Sequence, residues 1–130
     1  MSSELNNLEW FKTGFGNYNP TPDTISKIES RLKNYTIKAV IDVDCKDVQF
    51  LIPKLFKTLC LCSANNFKIY HVDKNKLPVH LNESLNKIEK LPTIFFSKNG
   101  VEKFRIVEKI VYASTIENEI EVLLSRIIIK

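Results

Sequence analysis

The chain has 130 residues, 44% of them hydrophobic and 26% charged, with 19 Lys and Arg against 15 Asp and Glu. That size and balance describe one ordinary globular domain, and no stretch approaches the roughly 18 consecutive apolar residues of a membrane span. The basic residues are nearly all lysines and scattered, without an Arg-rich aromatic stripe, which argues against a nucleic-acid interface and for a solvated surface.

The opening residues, Met1 to Trp10, carry acids and no basic-then-apolar leader, so a cytoplasmic location is the expectation. Residues 4–13 predict a short helix with Leu5, Leu8 and Phe11 on one side. Gly14 to Pro20 holds two of the three glycines and reads as a turn-rich connection. Thr21, Pro22 and Asp23 then open a helix, as N-cap hydroxyl, first-position proline and first-turn acid. Ile25, Ile28 and Leu32 form its apolar side, and Asn34 is its break. Trp10, Phe11, Phe15 and Tyr18 are read as staples that hold this N-terminal extension, residues 1–35, onto a core of residues 36–130.

Ile37 to Val43 is a short β-branched apolar run, the pattern of a buried strand. After Asp44-Cys45-Lys46-Asp47 the period changes: Val48, Leu51, Ile52, Leu55, Phe56 and Leu59 recur at helical spacing, and Pro53 should bend that helix. Cys45 thus falls where a strand ends and a helix begins. The helix N-terminus and Lys46 favour a thiolate there, while the carboxylates of Asp44 and Asp47 oppose it. Asp42 and Asp44 share one face and read as a solvated strand terminus.

Three cysteines without paired spacing argue against a disulfide framework. Cys60-Leu61-Cys62 has no His or Cys cluster to complete a zinc site, so both read as packing residues, with no metal and no cofactor expected. Phe67 to Asp73 alternates as a second strand, parallel to the first, and its His71 reads as an edge or core residue rather than a catalytic one. Lys74 to Pro78 is loop, and Leu81, Leu85 and Ile88 predict a short amphipathic helix. Leu91 to Ser97 is a strand introduced by Pro92, Asn99-Gly100 is a hairpin turn, and Val101 to Val107 returns. Ser114-Thr115-Ile116-Glu117 is read as a capping box opening a last helix, with Ile116, Ile120, Leu123, Leu124 and Ile127 inward.

Strand, Cys45, helix start and Pro53 eight residues on, followed by Leu91-Pro92-Thr93 before a strand and an Asn-Gly hairpin, together resemble the thioredoxin family. The family's CxxC falls on Cys45-Lys46-Asp47-Val48, its helix-kink proline on Pro53 and its cis-proline loop on Leu91-Pro92-Thr93. Trp10, Gly14, Tyr18 and Pro20, with the helix that follows, are similar to a bacterial subgroup carrying a WCGDS-type motif. Cys45 and Asp47 keep that motif; Asp44, Lys46 and Val48 depart from it.

The resemblance implies an α/β thioredoxin-like fold, a four-stranded mixed sheet with helices on both faces, and a cis bond at Leu91–Pro92 opposite Cys45. It implies a thiol–disulfide oxidoreductase with a catalytic Cys45 and a binding edge of Asp44, Lys46, Asp47, Val48, Leu91, Pro92 and Thr93. Val48 replaces the family's second cysteine, which excludes the dithiol mechanism. Cys60, fifteen residues on in the same helix, is roughly 22 Å away and cannot replace it. Ala39 stands where the family has a buried acid. The expected activity is therefore that of a single cysteine, forming a mixed disulfide with a protein or peptide client or with glutathione. The alternative is a non-catalytic peptide-binding module that keeps the same groove. Neither a nucleic acid nor a membrane is an expected partner.

Overall fold

The computed structural model describes residues 3–72, 88 and 90–128. The loop expected over Lys74 to Pro78 and most of the helix expected over Leu81 to Ile88 lie outside them; Ile88 itself is buried.

Among the described residues the sheet has four strands: β1 (Thr36–Ile41), β2 (Phe67–His71), β3 (Thr93–Lys98) and β4 (Val101–Val107), in the order β2-β1-β3-β4. β1 and β2 run parallel, with Ile37 beside Phe67 and Ile41 beside His71. β3 lies antiparallel to β1, and β4 antiparallel to β3. Asn99 (φ 55°) and Gly100 (φ 80°) make the tight turn between the last two, the left-handed pair that a two-residue hairpin requires. The register then slips after Phe96, so that Ser97 faces Glu102 while Phe96 faces Phe104. Lys103 is the extra residue, and the slip puts Glu102 and Arg105 on one face, where they form a two-bond ion pair at 2.6 and 2.8 Å. A bulge with an exposed lysine also blunts this sheet edge against pairing with other chains.

Five helices are described: α1 (Ser3–Asn6), α2 (Glu9–Asn17), α3 (Pro22–Leu32), α4 (Lys46–Leu61) and α5 (Ile116–Ile128). Leu51, Ile52, Leu55, Phe56 and Leu59 of α4 are buried in one stripe, and Phe56 meets Phe67 of β2 edge-on at 4.8 Å. Each such side chain contributes about 1.5–3 kcal/mol by leaving water. Helices α2, α3 and α5 all pack against α4, so the described helices gather on the side of the sheet that α4 covers.

Two local expectations change. The segment from Gly14 is not a turn-rich connection, because α2 continues through Gly14 and Gly16 to Asn17. The reason lies in α4. A Cβ on Gly14 would stand 2.8 and 2.9 Å from the Cβ and Cγ of Pro53, so glycine is what allows the two helices to approach. Phe11 extends the contact, meeting Phe56 edge-on at 5.0 Å, and Lys57 Nζ donates to the Phe15 carbonyl at 3.0 Å.

The second change is at the helix starts. Thr21 precedes α3, but its hydroxyl makes no cap bond; its backbone N–H donates to Glu117 at 2.9 Å. Thr115, rather than Ser114, caps α5, accepting the Asn118 N–H at 3.3 Å. Glu117 does not close a capping box. Its buried carboxylate accepts from the Tyr18 hydroxyl and from Thr21, tying the N-terminal extension to the last helix.

Candidate functional site

β1 ends at Ile41, and the chain turns at once. Asp42 accepts the Asp44 N–H on its carboxylate (2.9 Å) and the Cys45 N–H on its carbonyl (3.0 Å). Asp42 therefore shapes the turn, and its carboxylate remains at the partly exposed strand terminus beside Asp44. Cys45 is the N-cap residue of α4, extended at φ −83° and ψ 129°, and its carbonyl accepts the first helical N–H, from Gln49, at 3.0 Å. Gln49 Nε2 reaches back to the Val43 carbonyl at 3.0 Å and holds the turn from the other side.

The Cys45 thiol makes no cap bond of its own. It is half-exposed and points at the Leu91 carbonyl, 3.6 Å from the sulfur. That carbonyl belongs to the Leu91–Pro92 peptide bond, which is cis. The segment is held from both sides. Thr93 donates its hydroxyl to the Lys90 carbonyl at 2.6 Å, and the Pro92 carbonyl accepts the Glu108 N–H at 2.7 Å.

Glu108 is a residue that sequence reading missed. Its φ is 68°, and the Lys109 N–H bonds across it to the Val107 carbonyl at 2.7 Å, a tight γ-turn that costs a non-glycine residue strain. Its carboxylate pairs with Lys90 at 3.5 Å, placing one charge of each sign beside Pro92. Nothing local marks a glutamate for such a turn. The segment that follows is fixed from beneath, since buried Glu119 accepts the N–H groups of Val111, Tyr112 and Ala113 at 3.0, 2.8 and 3.0 Å.

The expected site residues divide by exposure. Asp44, Lys46 and Asp47 lie open around the sulfur, and Leu91 and Pro92 form its opposite wall. Val48, Leu91, Pro92 and Thr93 are all buried, so Val48 and Thr93 act as floor and brace and the wall meets the sulfur through the Leu91 carbonyl. All three cysteines are free thiols. Cys60 is exposed at the far end of α4, while Cys62 is buried, and burial first and the Glu29 carboxylate second push its thiol up to about 11. His71 is exposed and pairs with Ile41, which puts it at the same end of the sheet as Cys45.

The arrangement places one partly exposed sulfur at a helix start, facing the Leu91 carbonyl. Among the described residues no group of three or more His, Cys, Asp or Glu side chains is placed to hold a metal ion, and no helix is long and apolar enough to cross a membrane.

No family model and no curated protein matches the chain. Among solved structures it is similar to a crystallised HIV epitope-scaffold, at 16% identity over 95% of this chain and 87% of that one, with a TM-score of 0.62. It is also similar to a protein of unknown function from Pseudomonas aeruginosa, at 14% identity over 95% and 78% of the two chains, with a TM-score of 0.47. The first likeness is one of fold.

Proposed function

We propose that this chain is a thioredoxin-like protein acting as a single-cysteine thiol–disulfide oxidoreductase through Cys45. The observation that carries the reading is the 3.6 Å approach of the Cys45 sulfur to the Leu91 carbonyl, which joins the start of α4 to a segment far along the chain. A disulfide laid across that wall meets the sulfur directly. The Cys45 thiolate attacks one client sulfur, forming a mixed disulfide and releasing the other client sulfur as a thiolate. With Val48 in place of a second cysteine, a thiol from outside, glutathione or a protein, must attack the mixed disulfide and regenerate Cys45.

The test uses a Cys60→Ser background, so that the other exposed thiol does not react. Incubation with oxidised glutathione should give a single adduct, mapped by mass spectrometry to Cys45 and cleared by reduced glutathione. No adduct at Cys45 rules the activity out.

The charges on this side of the molecule, exposed at Asp44, Lys46, Asp47 and Lys90 and partly buried at Glu108, favour a second reading, a peptide-binding groove without redox work. A peptide that binds the Cys45→Ser variant as tightly as the parent, with no adduct on the parent, supports that reading instead.

A further inference from the structure

Among the described residues the sheet ends at β2, and this strand has a specific outer edge. The Ile37 N–H donates to the Asn66 carbonyl, and the Val72 N–H to the Ile41 carbonyl. In a parallel ladder this makes the even-numbered residues of β2 face β1, so Phe67 and Ile69 direct their N–H and C=O groups out of the sheet. Among the described residues nothing pairs with those groups.

Beside this edge lies a cleft of ≈ 360 Å³, lined by Phe56, Leu59 and Cys60 of α4, by Ser63 to Asn65 and by Phe67. No β1 residue lines it, so it sits on the outer flank of β2. Side chains alternate along a strand, and Phe67 faces α4 while Lys68 faces the opposite side, exposed. A strand added to this edge would therefore place one side chain beside Phe67, in the cleft, and its next side chain beside Lys68.

We propose that the outer edge of β2 is a strand-addition site for an extended peptide that alternates large apolar and acidic residues. The apolar residue fills the cleft between Phe56, Leu59 and Phe67, the acid meets Lys68, and the backbone bonds to Phe67 and Ile69. The site is independent of the Cys45 chemistry, so the experiment uses the Cys45→Ser variant.

The probe is a capped, cysteine-free hexapeptide alternating glutamate with valine and one central phenylalanine, with a lysine-for-glutamate version as control. Binding should slow exchange of the Phe67 and Ile69 amides and protect Cys60 from maleimide. The lysine version should bind about tenfold more weakly. Ile69→Pro removes an outward N–H without touching the ladder to β1, and should abolish binding. Lys68→Glu, at an exposed position, should invert the preference between the two peptides, which keeps the test decisive if the proline variant fails to fold. Absence of binding overturns the proposal, as does an unchanged preference in Lys68→Glu. So does self-association of the chain that Ile69→Pro abolishes, because the edge would then belong to a second copy.

Discussion

Cys45 occupies a cap position without capping. Its sulfur is turned toward the Leu91 carbonyl, so the N-terminal N–H groups of α4 receive nothing from this side chain. Serine is among the best N-cap residues, and its shorter side chain can bond within its own helix. Cys45→Ser should therefore abolish the glutathione adduct and at the same time stabilise the fold by about 0.5–1 kcal/mol, read by urea denaturation. A variant that loses both adduct and stability would mean the sulfur is a packing group. Phe50 shows the same economy on the outer face of α4. It is 62% exposed, and Lys54 Nζ lies 3.9 Å above its ring. Burial lowers the pKa of Lys54 there.

Helix α2 carries two glycines with opposite meanings. At Gly14 an alanine Cβ would collide with Pro53, whereas at Gly16 nothing lies within 4 Å. Gly16→Ala should stabilise by about 0.5–1 kcal/mol through helix propensity alone. Gly14→Ala should instead cost about 1–3 kcal/mol, because α2 must move off the proline. Thermal melts of the two variants check the pair, and equal effects would mean the Gly14–Pro53 contact is not made.

The start of α4 supports a second test at this scale. Val48 is buried one turn after Cys45, where the proposed family has its second cysteine. Val48→Cys should close a disulfide with Cys45 on mild oxidation, seen as two fewer free thiols, and should reduce insulin with dithiothreitol present. Failure to close would show that the Asp42 to Cys45 turn holds the sulfur away from the helix.

Across the whole molecule, the Glu117 carboxylate is a buried tie between the first and last helical regions. Glu117 of α5 accepts from Tyr18 and from the Thr21 N–H, and Arg31 of α3 donates to the Leu124 carbonyl at 2.6 Å. Burial raises the Glu117 pKa, but the bonds from Tyr18 and Thr21 outweigh it and hold the carboxyl below its ordinary value. Burial, with Glu117 beside it, pushes the Tyr18 phenol up in turn. The sign follows. A depressed acid stabilises the fold above its unfolded pKa, and that stability is lost as pH falls through the lowered folded value. The parent should hold its stability down to about pH 4.5 and lose it progressively below that. Glu117→Gln should be weaker by about 1–3 kcal/mol at neutral pH, with a flatter decline in acid. Urea midpoints measured from neutral pH to about pH 3 decide it. Parallel curves for the two proteins would remove Glu117 from the acid response.

Local pattern alone determined much of this protein. The β-branched run before Asp42, the helical stripe from Val48 to Leu59 and the Asn-Gly hairpin each depend on neighbours a few residues apart, so periodicity reads them directly. The position of Cys45 between a strand and a helix was legible for the same reason. Long-range contacts decided the rest. Gly14 looks like a turn residue until Pro53 is brought against it, and Glu117 looks like half of a capping box until Tyr18 arrives to take its carboxylate. The Glu108 turn beside Pro92 and the open edge of β2 exist only because strands distant in sequence are placed side by side. A residue's period records which way it faces in its own element, whereas a close approach or a buried hydrogen bond depends on what the fold sets opposite it.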